Sequence, residues 1–301
     1  MLIGHKKNWQ NFEKLIKEDK LAHAYLFFGE EKLGKKTFAL ELAKLINNNK
    51  GGLKRDYANL ILVEPEKEEG EAGDGVIQIS QIRELSRKLA LKSDSSLFKI
   101  AIIDQVHLMT QEAQSAILKI LEEPRGKTVF ILITEFLGAI LPTIISRVQR
   151  INFFSIKEEA EIQEYLIHYK GVSVDEAKEI SQVSYNKPGV AIDLASYPEK
   201  LKNQKKIIKD LITISTPETS VSFRFQYIKN LIESESNIKE ILDLWLRFFR
   251  QRLILEVSNN SDFNKTFKIK NIIQKIQNTY FLISTTNANI KLALEVLMLE
   301  L

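Results

Sequence analysis

The sequence predicts an α/β first half, a mainly parallel sheet flanked by helices, joined to an all-helical second half. Three observations predict it. Up to Phe154, short apolar runs alternate with segments of helical periodicity, which is the pattern of βαβ units. Beyond Phe154 the strand-like runs stop and helical spacing continues to the end of the chain. The length of 301 residues, with 44% hydrophobic and 27% charged residues, gives material for two or three domains with cores of their own.

The elements follow in order. Tyr25–Phe28 is a short apolar strand that ends at Gly29, and Lys35–Ile46 is a helix with Phe38, Leu42 and Leu45 on one face. Leu60–Val63 is a second strand, stopped by Pro65, and 67–75 is an acidic, glycine-containing loop. Ile79–Leu91 is a helix carrying Ile82, Leu85 and Leu89 at spacings of three and four. Lys99–Ile103 is a third strand, ending in Asp104, and Gln111–Leu121 is a helix stopped by Pro124 and Gly126. Thr128–Ile133 is the fourth strand, a short helix precedes Ser146, and Val148–Phe153 is the fifth. Ser155–Tyr169 and Ser173–Val183 read as helices capped by Ser155 and Ser173, with Glu158 and Glu176 three residues on. Asn186–Gly189 is a turn, and from Leu201 the chain is mostly helical. The segment Ile238–Leu255 is apolar around much of its circumference, which predicts burial between other helices.

Composition removes several function classes. There is no cysteine, so disulfides, thiolate zinc sites, cysteine-held iron–sulfur clusters and a cysteine nucleophile are excluded. His5, His23, His107 and His168 are scattered without metal-site spacing. The 43 basic and 39 acidic residues leave a net charge of +4, too mild for a dedicated nucleic-acid or membrane-surface protein. Lys202, Lys205, Lys206 and Lys209 read as a solvated helix face rather than a DNA stripe. No apolar run is long enough to span a membrane and the N-terminal residues lack a leader pattern, so the expected location is the cytoplasm.

Parallel sheets bind ligands at the carboxyl ends of their strands, which directs attention to the residues after strands one, three and four. After strand one comes Gly29-Glu-Glu-Lys-Leu-Gly34-Lys35-Lys36-Thr37. It fits the phosphate-cradling pattern G-x-x-x-x-G-K, in which backbone N–H groups wrap phosphate and the lysine reaches its outer oxygens. The pattern next requires a Ser or Thr to hold Mg²⁺, and Lys36 stands there instead. Thr37 is one residue late, turned by about 100° on a helix, and should miss the metal. Strand three ends at Asp104, as in the metal-supporting Walker B motif, but the next residue is the neutral Gln105, which cannot polarise a water. His107 reads as a packed or hydrogen-bonded turn residue rather than a substitute base. Leu141-Pro-Thr-Ile-Ile-Ser146-Arg147-Val148 puts an arginine at a helix end, outside the sheet.

Taken together, these residues resemble the clamp-loader branch of the AAA+ superfamily, and within it the delta-prime subunits of bacterial DNA polymerase III. The resemblance covers nearly the whole chain. It runs from Leu21–Gly29 through Ile79–Leu85 to its densest part, Lys99–Pro124, then Leu141–Thr143, Ser146-Arg147 and 287–295. It implies an AAA+ chain in three parts: a RecA-like domain over 1–154, a small helical lid over 155–200, and an all-α collar for oligomerisation over 201–301.

The same resemblance implies site residues. Gly29, Gly34, Lys35, Thr37 and Asp104 would form a degenerate nucleotide site, and Thr134 would keep the polar sensor after strand four. Hydrolysing relatives carry a hydroxyl at Lys36, a glutamate at Gln105 and a lid arginine at Gly189, so an ATPase of the chain's own is not expected. Arg147, with Ser146 before it and Val148 in place of the family's cysteine, would reach a neighbouring subunit's nucleotide as an arginine finger. The implied partners are gamma/tau ATPase subunits, the delta subunit, the sliding clamp and primer–template DNA. ATP and Mg²⁺ belong to the neighbours. The stretch 47–56 lacks the four cysteines of the family's zinc module, so no zinc is expected. The competing readings are an active ATPase of the gamma/tau type and, less well supported by the charge, a plain nucleic-acid-binding module.

Overall fold

A computed structural model describes residues 2–48, 59–67, 75–91, 97–124, 126–156, 158–216, 218–233, 237–258, 263–286 and 288–300. The chain divides into two compact units, Met1–Lys157 with Lys187–Gly189, and Glu158–Asn186 with Val190–Leu301.

The first unit runs α1 (Lys6–Lys17), β1 (Ala24–Phe28), α2 (Lys35–Asn48), β2 (Leu60–Val63), α3 (Ile79–Ala90), β3 (Lys99–Ile103), α4 (Gln111–Glu122), β4 (Thr128–Thr134), α5 (Pro142–Ile145) and β5 (Gln149–Asn152). The five strands form one parallel sheet in the order β2-β3-β4-β1-β5. Alternation along each strand sorts its side chains to the two faces. Ala24, Leu26, Ala101, Ile103, Phe130 and Leu132 join Ile82, Leu85 and Leu89 of α3 and Ala113, Ile117 and Leu121 of α4 on one face. Tyr25, Phe27, Ile100, Ile102, Ile131 and Ile133 meet α1 and α2 on the other. There Phe38 of α2 lies edge-on to Trp9, Phe27 and Phe153, with ring centroids 5.4, 5.7 and 5.2 Å away. Both faces are covered, as a parallel sheet requires.

The helix α1 is an addition to the sequence reading. It is largely lysine-rich, and Phe12 and Ile16 are its buried positions. Helix α4 is capped by Thr110, whose hydroxyl accepts the Ala113 N–H.

The second unit is helical: α6 (Glu159–Tyr165), α7 (Val174–Ser184), most of α8 (Pro188–Ser196), α9 (Pro198–Ile214), α10 (Val221–Glu233), α11 (Ile238–Ser258), α12 (Phe263–Thr285) and α13 (Ile290–Met298). Ser173 caps α7 as the sequence predicts, accepting the Glu176 N–H at 3.2 Å. Ser155 does not cap α6. That helix starts at Glu159 because Ile156 is drawn into the core of the first unit, leaving Ser155 in non-helical chain. The α-helix also stops at Tyr165 and passes into a π-turn over Leu166–Lys170. Pro188 and Gly189 open α8 instead of closing a turn, which Tyr185 and Asn186 make with positive φ. The apolar segment near 238–255 is buried only in its first half. Ile241, Leu242, Leu244, Trp245, Leu246 and Phe249 are interior, whereas Ile254, Leu255 and Val257 face outward.

Beyond Asn48, the stretch 47–56 lies outside the described residues, as do most of the acidic loop after Lys67 and Asn287. Asn47 itself bonds through its amide to both backbone groups of Phe98. Among the described residues no helix is long and apolar enough to cross a membrane.

Candidate functional site

The candidate nucleotide site is built at the carboxyl edge of the sheet. Gly29 ends β1 and donates its N–H to Thr134 at the end of β4. A side chain at Gly29 would lie 2.4 Å from the Phe153 carbonyl oxygen, so the glycine is required by close approach. Gly34 has φ +86 with open space beside it, so its requirement is backbone conformation. The loop between them turns into α2, where Phe38 donates to the Gly34 carbonyl. The Nε2–H of His5, from the N-terminal segment, donates to the Leu33 carbonyl at 2.9 Å.

Lys35 is buried, and its ammonium is folded back onto the loop. It donates to the Gly29 carbonyl at 2.7 Å and the Glu30 carbonyl at 2.5 Å. Burial lowers its pKa to about 8, against the opposing pull of Glu135, Asp104 and Glu31. Lys187, itself buried, reaches the same loop and pairs with Glu30 at 2.8 Å.

Lys36 occupies the position where the phosphate-loop pattern places a metal-holding hydroxyl. Its Nζ is bonded to the Glu64 carboxylate and stands 3.7 Å from Asp104. Burial disfavours the charged form, but the combined pull of Glu64 and Asp104 outweighs it and raises the pKa of Lys36 above the usual lysine value. Burial also pushes the Asp104 carboxyl up, although Lys36 works in the other direction. Thr37, one step further round α2, is exposed.

The sheet explains why Glu64 and Asp104 share one cation. They follow β2 and β3, whose last residues Val63 and Ile103 are directly paired, and the Asp104 N–H donates to the Val63 carbonyl. Magnesium fits this arrangement poorly. The hydroxyl that should hold it is a lysine, and that lysine already lies between the carboxylates. Among the described residues no group of three or more His, Cys, Asp or Glu is placed to hold a metal ion.

The residues after β3 and at 189 are likewise held within the fold. Gln105 takes a left-handed conformation, φ 53, at the turn after β3, and its N–H donates to Asp104. His107 is a hydrogen-bonded turn residue, as the sequence suggests. Its Nδ1 lies 3.3 Å from Thr134 Oγ1 and its ring packs edge-on against Phe136. Gly189 donates its N–H to the Lys32 carbonyl at 2.9 Å, and a Cβ there would meet that oxygen at 2.8 Å. A longer side chain does not fit at 189 without displacing the loop.

Arg147 lies apart in the chain, just past the short helix α5. Its guanidinium pairs with Glu122 of α4 at 2.7 Å and donates to the Thr143 carbonyl at 3.0 Å. Ser146 also donates to Thr143. The pair with Glu122 is solvent-exposed and worth at most about 1 kcal/mol.

Sequence reasoning missed Glu64, Glu122, Glu30 and Lys187. The signal for Glu64 was present, a carboxylate directly after a strand, as at Asp104. The others depend on contacts that no local pattern encodes.

A family model described as "DNA polymerase III, delta subunit" matches residues 4–157. DNA polymerase III subunit delta' of Bacillus subtilis is 31% identical over 81% of this chain and 75% of its own. The chain belongs to the DNA polymerase III delta-subunit family. The resemblance to clamp-loader subunits of DNA polymerase III, drawn from the motifs alone, is thereby borne out. DNA polymerase III subunit gamma of Buchnera aphidicola is 26% identical over 99% of this chain and 88% of its own. Among solved structures, a DNA polymerase III gamma subunit-related protein of Thermotoga maritima shares the fold. Its TM-score is 0.50 at 20% identity, covering 96% of this chain and 97% of that one. This agrees with the expected parallel sheet with flanking helices followed by a helical region.

Proposed function

We propose that this chain is a non-hydrolysing, delta-prime-type subunit of the DNA polymerase III clamp loader. It helps place the sliding clamp on primed DNA and lends Arg147 to the nucleotide site of an adjacent gamma/tau ATPase subunit. The observation that carries the reading is the state of the phosphate loop. Lys35 bonds the loop's own carbonyls, and Lys36 fills the space between Glu64 and Asp104. With Gln105 and Gly189 as well, the groups that neutralise charge and position water in phosphoryl transfer are missing or redirected, and losses of this kind cost orders of magnitude each.

Arg147 carries the positive half of the reading. A planar guanidinium spreads charge over a γ-phosphate and in comparable systems contributes about 10³–10⁵ in rate. Its ionic tie to Glu122 is exposed and weak. The segment 155–200 would serve as lid and 201–301 as collar. The exposed apolar side chains Phe263, Phe267, Leu292, Val296 and Leu299 support a collar packed against other subunits. The delta subunit, clamp and primer–template DNA are the further partners, in the cytoplasm.

The test is clamp- and DNA-stimulated ATP turnover by the reconstituted loader, with this subunit wild type or Arg147→Ala and the isolated chain as control. An inert chain, and depressed turnover of an intact Arg147→Ala complex, is the expected result. Unchanged turnover would remove the arginine finger. The whole-length likeness to a gamma subunit keeps an active gamma/tau-type ATPase as the second reading. Turnover by the chain alone, abolished in Lys35→Ala, would establish it.

A further inference from the structure

Three lysines at the phosphate loop are already engaged. Lys35 bonds backbone carbonyls, Lys187 pairs with Glu30, and Lys36 is shared by Glu64 and Asp104. The third arrangement differs in kind from the first two. Glu64 and Asp104 follow directly after neighbouring, paired strands, so the sheet sets their backbones side by side and Lys36 bonds to one carboxylate while standing 3.7 Å from the other. Two carboxylates placed side by side in that way disfavour each other's charge, and a cation beside both offsets it. Lys36 supplies one from the first turn of α2, at the residue directly after the loop lysine.

We propose that the Lys36 ammonium is the resident cation of this site. It takes the place of the divalent metal and makes the phosphate loop of this chain indifferent to Mg²⁺. A monovalent ammonium tethered to the helix leaves by no concentration-dependent step, whereas a bound metal comes and goes with free metal and nucleotide. The loop therefore holds one arrangement while neighbouring sites cycle, which suits a subunit that acts as a fixed element. A divalent ion entering beside Lys36 would meet a like charge at close range and only the remnant of a carboxylate pair. The inference uses the loop alone. It does not need the role given to Arg147, and its test on the isolated chain succeeds or fails separately from the turnover assay.

Mn²⁺ alone is the probe, counted as free ion by its electron paramagnetic resonance signal against the full-length chain. Wild type and Lys36→Arg should show no saturable Mn²⁺ binding that Asp104→Asn removes. Lys36→Met and Lys36→Thr free both carboxylates and should bind one Mn²⁺ at least about tenfold more tightly than wild type. Asp104→Asn added to either should abolish that gain. Circular dichroism melts establish that each variant is folded. Two results would overturn the proposal: wild-type Mn²⁺ binding that Asp104→Asn removes, or folded Lys36→Met and Lys36→Thr chains that bind no better than wild type. If neither variant folds, the wild-type comparison with Asp104→Asn and Lys36→Arg decides alone. Metal-blind wild type then supports the assignment, and metal-binding wild type refutes it.

Discussion

Replacing Lys35 by methionine asks what the phosphate-loop lysine costs when its partners are only carbonyl groups. The side chain is buried and its pKa falls from 10.5 to about 8, chiefly through desolvation. At about 1.36 kcal/mol per pKa unit this corresponds to roughly 3 kcal/mol. Below pH 8 the ammonium is charged in folded and unfolded chains alike, and the folded chain carries the whole cost. Between about 8 and 10.5 the folded chain releases the proton while the unfolded chain keeps it. The unfolded state then binds more protons, so stability rises with pH across that window. Methionine has nothing to titrate. The Lys35→Met chain loses two hydrogen bonds but also the desolvated charge, and relative to wild type it should be most stable at pH 7. That relative advantage should shrink by about 3 kcal/mol by pH 10.5. Titrating groups remote from Lys35 are common to both chains and cancel in the difference. The assay is denaturant unfolding of both proteins at a series of pH values. A difference that stays flat within about 0.5 kcal/mol across the series would show that Lys35 is not desolvated as described.

Two further outcomes are expected from the first unit. Phe38→Ala should lower stability by about 3–5 kcal/mol, because the ring fills a space closed by Trp9, Phe12, Phe27 and Phe153; a denaturant midpoint within error of wild type would contradict that packing. Gly189→Ala should cost about 1–3 kcal/mol, since its Cβ would sit 2.8 Å from the Lys32 carbonyl oxygen. The loss should appear as a lower melting temperature and should be absent if the loop shifts freely.

The centre of the sheet was readable because β1, β3 and β4 are buried on both faces and therefore appear as continuous apolar runs bounded by Gly or Asp. Each run from Leu60–Val63 to Thr128–Ile133 carried enough Ile, Leu, Val or Phe to fix its place within a residue. Helix α1 carried its own signal, since Trp9, Phe12, Leu15 and Ile16 recur at helical spacing with lysines on the other face, and it packs on Tyr25, Phe27 and Phe38. Ser155 shows the opposite case. A sound capping signal went unused: Ile156 is buried and the helix starts only at Glu159, which leaves the serine in non-helical chain.

The candidate site divides along the same line. Gly29, Gly34, Lys35 and Asp104 were readable because a phosphate loop and a strand-end aspartate are local patterns. The use to which those residues are put was not, because it depends on the strand order. β2 and β3 are neighbours although α3 and a long loop separate them in sequence, and only their pairing brings Glu64 to Asp104 and sets both around Lys36. Sequence alone showed a missing hydroxyl at position 36. The fold shows that the lysine there is held by two carboxylates, and this turns a lost metal ligand into a cation with a place of its own. The same holds at Arg147: the pattern marked the arginine, but its tie to Glu122 follows from where α4 ends beside α5. That tie is solvent-exposed and therefore contributes little to stability.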